Sequence, residues 1–475
     1  MVHMMVSRQI SLVIMAGGMA VLARLLAPED FGLFAAALAI FAVAEVIADF
    51  GLHSYLIRAR TIERIDIRAA AGLALMLSAA ICALLVAALI LLPEPIWPPG
   101  MQPILAVLVL ALLIQPLIMP MDAALGRELR FGLLSIVGVI RLAVETAVTI
   151  GLAFAGFGPL ALAYGFLAER VTGAAVLFIA MRRYGRFLPS VQGWRQFFGF
   201  GLRFVAISSL PKISEAIVVL LFSRLLGLGQ LGTYNRAKTI VGLLDRSLLD
   251  GIAPVVLPAL SRSLDGGVAP SRLYLVKTDY LVALCWPVFA AIALLAEPLV
   301  AVLLGPQWEH AVPVVRILAL SGLMMPFTSM SMKLFVALDA APAYLWIQSA
   351  HQFAKVLLAG AGAFISLEGA CVGIVAALLI KALLVSRSLK AIVKYRSPDL
   401  VRIAGRGAGM TAATLLGPVL LPTLVADISG LALLASGIAL SGLGWLAGAA
   451  LTRHPLLFEI LTMLGARRAN DAAAP

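Results

Sequence analysis

The chain has 475 residues, 62% hydrophobic and only 13% charged, with a mean hydropathy of +1.05. That composition excludes a soluble globular domain, and three widely spaced cysteines exclude a disulfide-built scaffold. The net charge of +12 does not point to nucleic acid, because the basic residues fall in alternate loops, where they set membrane orientation and meet anionic inner-leaflet lipid.

A spanning helix needs roughly 20 apolar residues. The chain holds fourteen such runs, without the period-2 alternation of barrel strands. Span 1 (9–26) follows Arg8, a short charged lead like that of a signal peptide. With thirteen runs behind it, a retained helix is the expectation. It ends at Arg24, which has two readings, shared with Arg224: a cap on helix C-terminal carbonyls, or an outer-gate contact. Span 2 (33–57) carries Glu45 and Asp49 four apart, where like charges repel. Both are candidates for a carboxylate that binds and releases a coupling proton, with pairing to neighbouring bases as the alternative.

Spans 3 (70–92) and 4 (101–121) lead to span 5 (133–155), which puts Arg141 and Glu145 on one face. Span 6 (160–181) carries Glu169 and Arg170 near its middle. These four predict a buried charge cluster, either a structural brace or a substrate or coupling site. The basic stretch 182–196 reads as an inner linker. Span 7 (197–226) aligns Ser208, Lys212 and Glu215 in one polar stripe beside Pro211. Span 8 (233–260) carries Arg236, Lys238, Asp245 and Arg246. Spans 9 (275–304) and 10 (312–338) precede span 11 (343–366), where Tyr344, Gln348, His351, Gln352 and Lys355 form a stripe that suits a cavity wall. Span 12 (369–392) is followed by a basic stretch, spans 13 (404–425) and 14 (430–451), and a polar tail.

About eleven basic residues lie inside these runs, Lys277, Lys333 and Lys381 among them. Each would cost roughly 2.5–3.5 kcal/mol at mid-bilayer, so they snorkel, pair or line a wet cavity. Trp97 and Trp308 read as interface anchors.

Residues 23–40 (ARLLAPEDFGLFAAALAI) and 223–240 (SRLLGLGQLGTYNRAKTI) match without a gap at an offset of 200. Arg24/Arg224 and Gly32/Gly232 carry the weight, Phe34 meets Tyr234, and Glu45 meets Asp245 further on. Two similar halves are a common transporter plan. The expected organisation is a six-helix bundle at 1–184, a second at 185–395, and two extra helices with a tail at 396–475. Six spans per half imply a parallel repeat about an axis along the membrane normal. The loop charges place both termini in the cytoplasm. No P-loop, dinucleotide fingerprint, Ser/His/Asp constellation or metal-ligand spacing occurs, so neither an enzyme nor a bound cofactor or metal is expected. Energy would come from an ion gradient (proton or sodium), the substrate gradient or a separate protein.

The segment 23–52 (ARLLAPEDFGLFAAALAIFAVAEVIADFGL) resembles the opening signature of the polysaccharide transporter branch of the multidrug/oligosaccharidyl-lipid/polysaccharide exporter superfamily. Residues 252–264, 295–320 and 334–342 (IAPVVLPALSRSL, LAEPLVAVLLGPQWEHAVPVVRILAL, LFVALDAAP) resemble its second-half motifs. The resemblance implies an all-α membrane protein of about 14 spans, with two pseudo-symmetric six-helix bundles and two further helices. It implies a flippase for undecaprenyl-diphosphate-linked oligosaccharide repeat units in a bacterial inner membrane. A polysaccharide polymerase and a chain-length regulator would be its protein partners. It further implies a cationic cavity walled by spans 1, 2, 7 and 8. The expected cavity residues are Lys212, Glu215, Lys238, Arg246, Gln348, Gln352, Lys355 and Arg141. The expected coupling carboxylates are Glu45, Asp49, Asp245 and Glu145. Span 1 has no charge between Arg8 and Arg24, so the basic lining leans to the second half. A lipid II flippase and a multidrug exporter of the same fold are the alternatives; the second favours acidic cavities.

Overall fold

The computed structural model describes residues 2–58, 64–92, 97–128, 130–180, 190, 194–243, 269–329, 331–424 and 430–457. Among these residues every regular element is helical, and nine helices are long and apolar enough to cross a bilayer. The helices pack into two compact units, the first formed by Met1–Asn235 with 303–305, the second by Arg236–Val302 and Pro306–Pro475.

The first unit contains α1 (Val2–Leu25), α2 (Pro28–Asp49), α3 (Leu52–Arg58), α4 (Arg64–Leu91), α5 (Met101–Arg127), α6 (Phe131–Phe154), α7 (Pro159–Ala180) and α8 (Phe198–Leu225). It also takes the start of α9, helical over 228–243. α2 begins at Pro28, five residues before the expected start, because Pro28 suits a first helical position and Glu29 and Asp30 favour the first turn. The Asp30 carboxylate accepts the Ala27 N–H at 3.0 Å. Expected span 2 is not continuous: Phe50 adopts a left-handed conformation (φ 46°) and Gly51 follows at φ 72°, turning the chain into α3. The side chains of Leu52, Leu56, Met119 and Phe197 form one core cluster at this corner.

The repeated glycines meet each other. A Cβ on Gly32 would overlap the Leu228 carbonyl, and one on Gly232 would overlap the Pro28 carbonyl. Each hypothetical Cβ also lies 3.1 Å from the other glycine's amide nitrogen. The offset-200 repeat thus crosses itself, backbone against backbone, where small residues permit close helix approach. Phe222 and Tyr234 pack edge to face beside it, centroids 5.1 Å apart.

The second unit contains α10 (Pro270–Leu294), α11 (Ala296–Leu303), α12 (Ala311–Ala319), α13 (Met325–Thr328), α14 (Ser331–Ala337), α15 (Ala341–Ala363), α16 (Leu367–Val393), α17 (Ser397–Leu424) and α18 (Gly430–Leu451). Expected span 9 breaks at Leu295, since Pro298 cannot donate to the Leu294 carbonyl. Expected span 10 is not one helix either. α12 passes into a 3-10 turn (Leu320–Leu323), then the single turn α13, then extended Ser329 (ψ 141°), then α14. Gly322 and Pro326 sit in the interrupted stretch.

α10 runs through this unit, and its Pro287 leaves the Ala283 carbonyl without an intrahelical donor. The Trp445 indole on α18 takes that carbonyl at 2.8 Å, and Trp286 donates to the Leu323 carbonyl at 3.0 Å. Gly407 on α17 seats against Val282, and Gly437 on α18 against Leu295. Asp279 joins the same elements through Arg406 at 3.2 Å and His454 at 3.3 Å. α15 and α16 cross at Gly362 and Gly369, with Gly373 against the Leu358 carbonyl.

Candidate functional site

Each unit buries its own polar cluster. In the first, α7 presents Glu169 and Arg170 to α2, α5 and α6. The Arg141 guanidinium donates to Glu169 and lies 3.7 Å from Asp122. Gly173 makes room for it, since a Cβ there would sit 3.0 Å from the Arg141 Nε. The Arg170 guanidinium donates to Gln115 at 2.5 Å and to Glu45 at 2.8 Å, and its Nε faces Glu169 at 3.3 Å. It also lies 4.9 Å from the Phe166 ring centroid, and Phe166 is itself packed edge to face on Phe41.

Of the four expected members, Arg141, Glu169 and Arg170 are joined by ion pairs, and Glu145 is not. The cluster's other partners, Glu45, Gln115 and Asp122, come from helices that sequence reasoning did not connect to it. A signal existed: Gln115 and Asp122 are seven apart on α5 and share a face. Glu145 stands in the electrostatic reach of Glu169, Arg170 and Arg141, but among the described residues its carboxylate has no hydrogen bond or ion pair. Asp49 accepts the Gly51 N–H at 3.2 Å. Two guanidinium groups therefore stand among five carboxylates, Glu45, Asp49, Asp122, Glu145 and Glu169. Arg141, expected to line a cavity for phosphates, is committed to carboxylates of its own unit. Arg24 donates to the Ala20 carbonyl at 2.6 Å, and Arg224 lies in the last turn of α8. Lys212 is exposed and Glu215 half-buried on α8, which passes Pro211 without interruption.

In the second unit the polar stripe of α15 turns toward α16. His351, Gln352 and Lys355 are buried, and Tyr344 and Gln348 half-buried. The His351 Nδ1 donates to the Ala377 carbonyl at 3.1 Å, pinning the stripe to α16. Lys381 on α16 was an expected intramembrane base but not an expected site residue. Its charge and that of Lys355 bear on each other and on His351. α15 carries no carboxylate, and α16 only Glu368, thirteen residues or about 20 Å from Lys381 along the helix. Lys238 is exposed on α9; Asp245 and Arg246 lie outside the described residues. A groove of ≈ 400 Å³ bounded by Pro287, Leu295, Thr414, Leu434 and Trp445 is wholly apolar, so it offers nothing to an anionic head group.

A helical chain with long apolar spans, glycine-mediated crossings and segregated buried charge is a multi-pass membrane protein. Residues 21–313, more than half of the chain, match the family described as "Polysaccharide biosynthesis protein", and the chain belongs to that family. It is 28% identical over 316 residues to the succinoglycan biosynthesis transport protein ExoT of Rhizobium meliloti (strain 1021). That match covers 64% of this chain and 62% of the relative, so the chain spans under two thirds of the relative's length. The fold is similar to that of the lipid II flippase MurJ in an inward closed conformation, with a TM-score of 0.77 and 12% identity over 96% of this chain and 100% of that one. It is also similar to an inward-facing MATE-family multidrug transporter of the MOP superfamily, with a TM-score of 0.61 and 18% identity over 82% of this chain and 96% of the other. The chain thus combines membership of that polysaccharide biosynthesis family with the fold of these transporters.

Proposed function

We propose that the chain is a flippase that moves undecaprenyl-diphosphate-linked oligosaccharide repeat units across a bacterial inner membrane, with both termini in the cytoplasm. The observation that carries this reading is the basic cluster buried between α15 and α16. Lys355, Lys381 and His351 are gathered at mid-span, with Lys355 and His351 buried on α15 and Lys381 facing them from α16. A diphosphate crossing hydrocarbon needs fixed positive charge in a wet path. The sugar-bearing head group would pass Lys355, Lys381, Gln348 and Gln352 by alternating access, while the prenyl tail stays in lipid. We take 1–184 and 185–395 as the two bundles that alternate and 396–475 as the added helices. A proton or sodium gradient drives the cycle, and a polysaccharide polymerase receives the product.

The fold similarity to MurJ supports a second reading, transport of lipid II, which also carries a diphosphate. A multidrug exporter of cationic compounds fits poorly with a basic wall.

The test is deletion of the gene, scoring lipid-linked repeat units on the inner face of the membrane. They should accumulate there, and cell-wall synthesis should continue. Arrested peptidoglycan synthesis, restored by MurJ, would select the second reading instead. Export of normal repeat units without any redundant flippase would end both. Lys355→Ala with Lys381→Ala should reduce export about tenfold or more at unchanged protein level, since a hydrogen bond to a charged group contributes about 1.5–3 kcal/mol. Normal export by the double variant would remove the site assignment.

A further inference from the structure

Lys277 lies in α10, about 10 Å along the helix from Pro270. It is 5% exposed, yet among the described residues no carboxylate comes within ion-pair distance of it. Its ammonium makes two contacts. It donates to the Ser329 carbonyl at 3.0 Å and lies 5.1 Å from the Tyr274 ring centroid. Ser329 is the extended residue that ends α13, in the middle of the interrupted 311–337 stretch.

The broken stretch matters. Irregular backbone at membrane depth frees carbonyls, and in transporters such breaks hold cations at half-helix C-terminal ends. Here the cation is tethered to the chain. Its contacts are one carbonyl and one ring face, and among the described residues no carboxylate partner locks its charge. Among the described residues its surroundings supply no other charge that would do so. On α10, Cys285 stands two turns away and Asp279 projects from another side of the helix, already held by Arg406 and His454. α14 carries Lys333, and on α12 Arg316 faces Glu297 of α11 at 3.8 Å. Tyr395 stacks on Tyr274 and donates to the Ser386 carbonyl. α18 carries no charged residue.

We propose that Lys277 is the proton-carrying side chain of the second unit, and that its charge holds the break at Ser329. One proton is taken up by the amine from water on one side and released as the ammonium gives it to water on the other; no other bond changes. Loss of the proton weakens the hold on the Ser329 carbonyl and frees the C-terminal end of α13 to move. The inference deepens the flippase reading by naming where its driving proton rides.

Two measurements test it. In vesicles, a pH gradient should stimulate head-group translocation by the wild type. Lys277→Arg, which stays charged, and Lys277→Gln, which stays neutral, should translocate without that stimulation. A folded variant that keeps the wild-type response to pH would reduce Lys277 to a structural anchor and overturn the proposal, as would a wild type that transports but ignores the gradient. The second measurement needs neither a variant nor a known substrate. Acetic anhydride acetylates neutral amines, so Lys277 of the intact wild type should be labelled increasingly from neutral to alkaline pH, read by mass spectrometry. No label at any pH would equally overturn the proposal. If labelling occurs but lipid-linked oligosaccharide is never translocated, the flippase reading fails and the proton site stands.

Discussion

Gly232→Leu should leave no transport and little folded protein, and Gly32→Leu should do the same. Each side chain would have to enter space held by a backbone carbonyl, that of Pro28 in one case and Leu228 in the other. Carbonyls cannot rotate away as side-chain ends do, so the helices must separate. Overpacking of ordinary cores costs about 1–3 kcal/mol, and an obstacle made of backbone puts these variants at the top of that range or above. Separation would also loosen Phe31 and Phe222, which are 1% and 0% exposed. The check is thermal unfolding in detergent, with Gly17→Ala as control. Gly17 has open space around it, and alanine there should gain about 0.5–1 kcal/mol from helix propensity. Because the two glycines touch, Gly32→Ala and Gly232→Ala should be sub-additive: once the crossing has opened for one methyl, the second costs less. Strict additivity would mean that the glycines do not share one contact.

That crossing was half-legible in the sequence. The offset-200 match singled out Gly32 and Gly232 as equivalent residues, and equivalence in a repeat does not require contact. Hydropathy located the helices, and it missed their interruptions because a run stays apolar whether or not it is continuous. Span 10 is the clearest case: Gly322 and Pro326 were visible breakers, yet the surrounding valines, leucines and methionines kept the run apolar. The buried charges were legible as faces but not as pairs. Arg141 and Glu145, four apart, looked like natural partners. The structure instead joins Arg141 to Glu169, 28 residues on, and Arg170 to Glu45, 125 residues back. Periodicity says which residues share a face, and only tertiary packing says which helix that face meets. Lys381 escaped for a related reason. Alone on an apolar helix it looked like one more base to be hidden, and it acquires meaning only beside Lys355 and His351.

Arg170→Ala should destabilise the first unit by about 3–5 kcal/mol, the usual effect of removing one partner from a buried ion pair. Its side chain is 13% exposed, and its loss strands Glu45 and the Gln115 amide oxygen and leaves Glu169 to Arg141 alone. Arg170→Lys keeps the charge but cannot fork to Gln115 and Glu45 at once, so it should recover only part of the loss. Pairing Arg170→Met with Glu45→Gln removes charge from both sides and should be milder than Arg170→Ala alone. Transport measured on the same samples separates the two roles that the sequence left open for this cluster. A brace predicts that export falls in step with the folded fraction and recovers in the double variant to the extent that folding does, because no charge is then stranded on Glu45 of α2. A substrate contact predicts lost export from protein that unfolds at the wild-type temperature. The geometry favours the brace: Arg170 already satisfies two carboxylates, an amide and a ring face, and a phosphate would have to displace them. The anionic cargo is assigned instead to Lys355 and Lys381, which α15 and α16 bring together at mid-span.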